Sequence, residues 1–402
     1  MPADAPAPSP ALPIRALLLV LVIVFVNFAG FSLILPLLPF YGKELHASPV
    51  AVTVLFAAYS FGGIFGELYW GRTSDRLGRK KVLMLTTTVT ALCYVAFAFV
   101  GSLWLAVAVR ILTGFFSGTV GVCQSYIADV TKPEERARSI GFLGAAINLG
   151  FAFGPAVGGL LASPELGLAG FRLPILVSAG VAAISAVWAT VALVESHAPS
   201  AARPLPKYSE AWRFVGTHPL VARLFLIAFI GIGAFASMEA VFGLWTALNY
   251  GWSTHQVGLS FVFVGLTGFA VQILLIGRAT RRFGEPRVIL AGLVVLALSM
   301  VLQPVIRQPI ATVVLMSLLM AGHSIAFPSA GALISRHTDA QVQGSVSGLL
   351  MAGNALGRIL MPPLFGLIYA DVGPDWSYYV CAALIGVAIV VAAQVVALRT
   401  RG

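Results

Sequence analysis

The sequence predicts an all-α membrane protein whose twelve transmembrane helices form two pseudo-symmetric six-helix bundles. Three observations predict this fold class: a very apolar composition, twelve apolar runs of spanning length, and a repeat between the two halves of the chain. Of the 402 residues, 59% are hydrophobic and 10% are charged, with a mean hydropathy of +0.94. A soluble domain carries roughly 25% charged residues. The hydrocarbon core of a bilayer is therefore the surrounding that accepts so much apolar surface.

Twelve runs are long enough to cross a bilayer, which takes about 20 apolar residues. The first run has no charge from Ala16 to Gly42, and it is therefore longer than the apolar core of a signal peptide, about 7–15 residues. The runs are predicted at residues 16–41, 50–71, 81–101, 103–128, 138–162, 172–194, 220–248, 255–277, 287–306, 309–335, 342–370 and 376–397.

The longest connection between runs, residues 195–219, is charged, contains prolines and lies at the centre of the chain. It predicts a division into a disordered N-terminal tail at 1–13, an N-terminal six-helix bundle at 14–194, this cytoplasmic linker, and a C-terminal six-helix bundle at 220–398.

The positions of the basic residues predict the orientation. With the N-terminus in the cytoplasm, twenty of the 25 Lys and Arg residues fall on the cytoplasmic side. Lys43, Arg172 and Arg307 fall outside, and Arg110 and Arg358 lie within spans. Because cytoplasmic loops are enriched in Lys and Arg, this distribution supports the number of spans and places both termini in the cytoplasm. It also accounts for the net charge of +10 without nucleic acid, since the charges lie in short loops between apolar runs.

The two halves of the chain repeat one another. Residues 71–78 read Gly-Arg-Thr-Ser-Asp-Arg-Leu-Gly, and residues 277–284, 206 positions later, read Gly-Arg-Ala-Thr-Arg-Arg-Phe-Gly. At the same offset Ser48 corresponds to Thr254, and each is predicted to cap the helix that follows it. A parallel repeat of two six-helix halves places a binding cavity between them, near the middle of the membrane.

Several function classes are disfavoured by what the sequence lacks. It contains no nucleophile–base pattern of common membrane enzymes and no Gly-x4-Gly-Lys-Ser/Thr loop for phosphate binding. We therefore expect no enzymatic activity, no ATP-driven pumping and no cofactor. The three cysteines, Cys93, Cys123 and Cys381, lie inside apolar runs and are expected to pack as small apolar side chains rather than to bind a metal.

The loop after the second run carries the most specific motif. Its glycines allow tight turns, and its spacing, Gly-x3-Asp-Arg-x-Gly-Arg-Lys-Lys, is more regular than a general excess of basic loop residues requires. With this loop, its repeat and the central linker, the chain resembles the major facilitator superfamily. The resemblance implies that the loop latches the two halves together on the cytoplasmic side in the outward-open state, with Asp129 as a partner of Arg79. Arg281 stands in the second copy where the first has an aspartate, so we expect an asymmetric latch. The implied latch residues are Gly71, Asp75, Arg76, Gly78, Arg79 and Asp129.

The fifth run contains a second motif, Gly-x3-Gly-Pro-x2-Gly-Gly. Small residues four apart let helices approach closely and proline bends a helix, so a close-packing helix is one interpretation. The whole motif also resembles that of exporters in the superfamily, above all the tetracycline and multidrug–proton antiporter branch. Residues 126–131, Tyr-Ile-Ala-Asp-Val-Thr, resemble the same branch. The motif residues are Gly150, Gly154, Pro155, Gly158 and Gly159.

Ionisable side chains inside spans are the candidates for proton coupling or substrate contact, because charge is costly in lipid and usually faces a cavity or a partner. Arg110 resembles the superfamily's membrane-embedded arginine of helix 4, which is associated with proton coupling; a structural pairing is the alternative. Glu67 and Glu239 can each carry a proton, since burial favours the neutral carboxyl. An ion pair for Glu67 and an outer-vestibule position for Glu239 remain open. His323 can titrate or pack, and Arg358 can contact an anion or serve as a counter-ion.

Asn27 departs from the resemblance, because tetracycline-type exporters carry an acidic residue at this position of helix 1. An asparagine cannot carry a proton, so coupling has moved to Glu67 or Glu239 or takes another form. The resemblance implies a secondary active transporter that exports a small amphipathic organic compound or drug in exchange for protons by alternating access. The alternative is a facilitator, importer or exporter of a metabolite, such as a sugar or organic anion, without proton antiport.

These expectations also define partners and location. The expected partners are a small-molecule substrate, protons and the lipid bilayer, with the proton gradient as the driving force and no nucleic acid. Short loops and the lack of extra domains favour a bacterial inner membrane. Members of the superfamily usually work as monomers, and drug export would confer antibiotic resistance.

Overall fold

The structure is a computed structural model that describes residues 14–196, 208–339 and 342–400. In these ranges the regular secondary structure is helical, and twelve helices are long and apolar enough to cross a membrane. The predicted all-α membrane fold with twelve spans is therefore confirmed. The predicted tail at 1–13 and residues 197–207 of the predicted linker lie outside the described residues. The spanning helices are α1 (Ala16–Glu44), α2 (Pro49–Leu77), α3 (Arg79–Ala98), α4 (Leu103–Val130), α5 (Ser139–Leu161), α6 (Pro164–Val191), α7 (Pro219–Tyr250), α8 (Thr254–Phe283), α9 (Glu285–Val305), α10 (Pro309–Arg336), α11 (Ser345–Val372) and α12 (Pro374–Ala397).

Helix pairing follows the sequence repeat. In the first half α1 packs on α5, α2 on α4 and α3 on α6. In the second half α7 packs on α11, α8 on α10 and α9 on α12, which is the same pattern six helices later. Each half buries its own apolar side chains, for example Tyr126 in the first and Trp245 in the second. The exact bounds of the two bundles stay a prediction.

The two halves meet through two further helix pairs, α5 with α8 and α2 with α11. We call the side of the bundle that carries residues 71–81 the arginine-rich side. An ideal Cβ on Gly159 would lie 2.9 Å from the Cα of Gly258, and one on Gly366 would lie 2.9 Å from the Cα of Val50. These contacts lie at the helix ends farthest from the arginine-rich side. The halves therefore pack most closely on the opposite side, and we call the space between them toward the arginine-rich side the cleft.

Two helices that border the cleft depart from regular α-helical geometry. α4 breaks at Gly118, and an ideal Cβ on this glycine would lie 2.5 Å from the backbone nitrogen of Glu67. α8 widens into a π-turn at Val271–Leu275. Irregular backbone at membrane depth is tolerated where it is buried in protein or lines a cavity. Further departures are the 3-10 turn Leu35–Leu37 in α1, the 3-10 stretch Pro164–Phe171 in α6 and the π-turn Ile368–Val372 in α11.

The repeated glycines have a conformational cause. Gly78 joins α2 to α3 with φ 101° and ψ 149°, and Gly284 joins α8 to α9 with φ 77° and ψ 152°. Both lie in a region that side chains with a Cβ rarely adopt. The two turns are thus the same turn, and glycine is required at each.

The predicted caps are confirmed at one position and wrong at the other. Ser48 caps α2 by accepting a hydrogen bond from the backbone N–H of Ala51 at 3.3 Å. Thr254 is the first residue of α8 rather than its cap. Ser253 takes that role, because Gln256 closes a capping box with it.

A short amphipathic helix, Tyr208–Thr217, leads into α7. Its buried face, formed by Ala211, Phe214 and Val215, joins the apolar core of the second half, while Trp212 on the other face is exposed. The end of the linker is therefore fixed to the second half.

We expect Gly284→Ala to lower the free energy of unfolding by about 1–3 kcal/mol, because alanine must adopt a positive φ there. An ideal Cβ at Gly284 would meet no atom closer than 3.9 Å, so the loss would come from backbone conformation and not from a clash. Thermal unfolding of the purified protein in detergent measures the effect. Gly277→Ala on the same helix, where a Cβ meets open space, is the matched control. Equal stability of the two variants would contradict the conformational explanation.

Candidate functional site

Three ionisable side chains from both halves of the molecule interact across the cleft. Glu67 lies on α2, Glu239 on α7 and Arg358 on α11. Arg358 lies within electrostatic range of each carboxylate. Arg358 lies in the interior of α11 and is nevertheless exposed. The structure therefore brings together three residues that the sequence singles out one by one.

Arg110 is buried in the first half, with 1% of its surface exposed. Its guanidinium carbon lies 4.8 Å from the ring centre of Tyr59 and 5.8 Å from that of Phe31. Its Nε donates to the carbonyl of Leu55 at 3.4 Å, while Nη1 has no hydrogen-bond partner among the described residues. Glu239 is the carboxylate whose charge acts on it, from the other half. Aromatic rings and a carbonyl hold Arg110 in place, and its long-range electrostatic partner lies across the cleft.

His323 on α10 is surrounded by aromatic side chains. Its ring centre lies 4.2 Å from that of Phe235 and 4.7 Å from that of Phe327. Arg358 is the charged residue that acts on it. These contacts are those of a packing histidine beside the charged cluster, and a role in coupling stays a prediction.

Asn27 lines a small polar pocket inside the first half. The pocket has a free volume of about 30 Å³, room for one or two water molecules. It lies beside the break in α4, and Ser117 at this break comes within 3.4 Å of the hydroxyl of Thr90. Sequence reasoning missed the hydroxyl groups, because serine and threonine are common inside membrane helices. The polar side chains that line the pocket are Asn27, Tyr59, Thr87, Thr90, Tyr94, Ser117 and Thr119.

Arg79 is the centre of the predicted latch. Its Nη1 lies 2.8 Å from Oδ1 of Asp75 and donates to Oγ of Ser74 at 2.6 Å. Its Nε lies 3.3 Å from Oδ2 of Asp129, so the partner implied by the family resemblance is in contact. Arg79 is 1% exposed, and the structure therefore has a buried cation between two carboxylates.

The remaining residues of the latch motif have different surroundings. Gly71 faces open space, and Arg76 is exposed on the surface. Gly78 forms the turn described above, and any side chain there would collide with the carboxylate of Glu195. The latch role of the motif as a whole stays a prediction.

Glu195 is a member of this cluster that sequence reasoning missed. Its Oε1 accepts hydrogen bonds from the backbone N–H groups of Arg79 at 2.7 Å and Lys80 at 3.4 Å. A carboxylate at a helix N-terminus is favoured by the unpaired N–H groups and the helix dipole. The next residue, Ser196, donates to Asp129 at 3.3 Å. The start of the linker is thus bound to the latch of the first half.

The second half contains an ion pair at the corresponding place with reversed charges. Nη1 of Arg336, at the end of α10, lies 2.7 Å from Oε1 of Glu285, at the start of α9. Glu285 lies 206 positions after Arg79. The ion pair therefore lies at the same place in both halves, but the acidic and basic residues have exchanged helices.

The glycine motif of α5 packs against two helices. Gly150, Gly154 and Gly158 face α1, where side chains would collide with the backbone around Ala29 and Leu33. Gly159 faces Gly258 of α8, whose own missing side chain leaves room for the carbonyl of Pro155. These contacts support the close-packing interpretation of the motif. Its link to export stays a prediction.

The fold and this cleft define a class of protein: a membrane protein of two repeated six-helix halves with ionisable side chains from both halves at the cleft between them. The chain matches the sequence profile of the Major Facilitator Superfamily over residues 20–273 and 234–401. The protein therefore belongs to the Major Facilitator Superfamily, a family of transporters rather than enzymes, and is an integral membrane protein that moves small molecules.

Named relatives and solved structures support this assignment. The chain is 30% identical to "Tetracycline resistance protein, class C" of Escherichia coli, over 90% of this chain and 92% of that protein. It is 26% identical to "Multidrug resistance protein 2" of Bacillus subtilis (strain 168), over 86% of each chain. The crystal structure of the human organic anion transporter MFSD10 (TETRAN) matches 94% of this chain and 99% of that one, with 21% identity and a TM-score of 0.72.

We expect Arg79→Met to lower the free energy of unfolding by about 3 kcal/mol, because it leaves Asp75 and Asp129 without their shared cation. The side chain of Asp129 is 20% exposed, and the expected loss of stability is therefore at the lower end of the range for breaking a buried ion pair. Arg76→Met in the same loop, at an exposed position, should change stability by less than about 0.5 kcal/mol. Thermal unfolding in detergent compares the two variants. An equal effect of both would show that Arg79 contributes no more than a surface charge.

Proposed function

We propose that this transporter exports an amphipathic organic compound or drug in exchange for protons. The observation that carries the proposal is the placement of two carboxylates, Glu67 of the first half and Glu239 of the second, on membrane-spanning helices where the charge of Arg358 acts on both. Burying carboxylates in a membrane is costly unless they have a partner or a proton. Arg358 acts on both acids and Arg110 acts on Glu239 in addition, so we expect Glu67 to be the acid that exchanges its proton or binds a cationic substrate.

Competition between the proton and the substrate for this carboxylate is sufficient to exchange one for the other across the membrane. A substrate that enters from the arginine-rich side displaces the proton, and a proton that enters from the other side displaces the substrate. The two halves rock about the cleft between these events, as in other carriers built from repeats. The contact of α5 with α8 stabilises the state seen here, and the loop around Arg79 is expected to help hold the halves together in the other state.

The similarity to proteins named for tetracycline and multidrug resistance supports an efflux role. We further propose that the protein works as a monomer in a bacterial inner membrane, with both termini and the arginine-rich side in the cytoplasm. The excess of Lys and Arg in the loops on that side supports this orientation.

A facilitator or organic-anion carrier is the second candidate, and Asn27 favours it. This amide lines the pocket of the first half where tetracycline-type exporters carry an acid. Arg358 supplies an exposed cation at the cleft, and Nη1 of the buried Arg110 has no partner among the described residues. An anionic substrate could neutralise these cations without any proton exchange.

We expect substrate to release protons from the detergent-purified protein, and we expect Glu239→Gln or Glu67→Gln to abolish that release while retaining the fold. Glutamine keeps the size of the side chain and cannot carry the proton. The substrates to screen are tetracycline, lipophilic cations, sugars and organic anions. The matched control is Glu165→Gln, an exposed glutamate outside the cleft. Binding without proton release in any variant would exclude antiport and leave the facilitator.

A further inference from the structure

An amide pair joins the two halves at the inner edge of their contact. Nδ2 of Asn148 on α5 donates to Oε1 of Gln272 on α8 at 3.5 Å. Toward the opposite side the same helices meet through apolar surface, where Gly265 packs on Ala152. Both amides are half-buried, so they lie at the boundary between the packed contact and the open cleft.

The sequence of α8 explains why the contact ends at Gln272. Gly258, Gly265 and Gln272 are seven residues apart, and this spacing keeps them on one face of the helix. The π-turn Val271–Leu275 then adds a residue to one turn, which rotates the residues beyond it by about 100°. The face that packs on α5 therefore stops at Gln272, with its side chain at the floor of the cleft.

The hydrogen bond between the amides leaves polar atoms available. At 3.5 Å it is longer than the 2.7–3.2 Å of a typical N–H···O bond, and it is correspondingly weak. Nε2 of Gln272 faces Gly144, where an ideal Cβ would lie 3.6 Å away, so no side chain at residue 144 covers it. Each amide has both donors and an acceptor, and one bond uses only one of each. A ligand can therefore replace this bond at little cost.

The two helices that carry the amides form an uncharged wall of the cleft. α5 has no charged residue between 139 and 161, and α8 has none between 256 and 277. The charged residues Glu67, Glu239 and Arg358 lie on α2, α7 and α11 instead. A substrate with a charged group and a neutral polar edge would thus find a separate surface for each.

We propose that Asn148 and Gln272 form a neutral hydrogen-bonding subsite of the cavity, which binds the uncharged carbonyl, hydroxyl or amide edge of an organic substrate from both halves at once. This inference rests on the proposed function and identifies the substrate chemistry it requires. A ligand bound by both amides links α5 of the first half to α8 of the second. Recognition of the ligand is in this way coupled to closure of the two halves around it.

The test compares two ligands in the full-length protein in detergent. Tetracycline has an edge of carbonyl and hydroxyl groups, and tetraphenylphosphonium has no hydrogen-bonding group. D-xylose and benzoate are also tested. If tetracycline does not bind and one of these two does, that ligand takes the place of tetracycline as the hydrogen-bonding ligand. The variants are Asn148→Leu and Gln272→Met. Gln303→Met is the matched control, since this buried amide lies on α9, outside the helices that join the halves.

We expect each cleft variant to raise the Kd of the hydrogen-bonding ligand about three- to tenfold, the loss of one hydrogen bond. The Kd of tetraphenylphosphonium should stay within about twofold, and Gln303→Met should affect neither ligand. If the cleft variants lost affinity equally for both ligands, or kept full affinity for the hydrogen-bonding ligand, the subsite would be overturned. The proposed function would remain intact in either case. Binding of tetraphenylphosphonium alone to the unaltered protein would also overturn the subsite. No binding of any ligand to the unaltered protein would overturn the proposed function, and the subsite with it.

Discussion

The close approach of α5 and α8 is the contact on which the rest of the structure depends. Lipid tails are as apolar as leucine, so helices in a membrane associate through close packing rather than through the hydrophobic effect. Gly159 and Gly258 supply that packing, because a side chain on either would collide with the other helix. This closest approach lies on the side opposite the arginine-rich loops, and the contact continues as far as Asn148 and Gln272. Arg358 lies away from this closest contact and is exposed, and a cation in the membrane requires a cavity or a partner.

The sequence predicts the fold well because the bilayer acts on features that are local in the chain. Span length and loop charge need no knowledge of packing, and the repeat predicts the paired turns that Gly78 and Gly284 form. The departures from regular helix depend on contacts between distant residues. Gly118 breaks α4 where it meets the backbone of Glu67, and glycine alone does not mark a break in a membrane helix. The cap of α8 moved to Ser253 because Gln256 can reach it, which the repeat with Ser48 does not reveal.

The candidate site also has some features that the sequence reveals locally and others that depend on contacts between distant residues. Glu67, Glu239 and Arg358 stand out in the sequence because charge is rare in spans, yet only the fold brings them together. Neutral groups carry no such signal. The hydroxyls beside Asn27 and the amides of Asn148 and Gln272 resemble many polar residues that merely pack within membrane helices. Their significance comes from position, at the break in α4 and at the end of the contact between the halves.

The inverted ion pairs give the two halves different electrostatics on the arginine-rich side. Helix N-termini favour anions and C-termini favour cations. In the second half Glu285 starts α9 and Arg336 ends α10, so both charges agree with the helix dipoles.

In the first half the signs are reversed, since Arg79 starts α3 and Asp129 lies near the end of α4. Glu195 offsets the conflict by placing a carboxylate on the N-terminus of α3. The first pair is therefore accompanied by a carboxylate that belongs to the start of the linker. The balance of charge around Arg79 thus depends on the connection between the two halves.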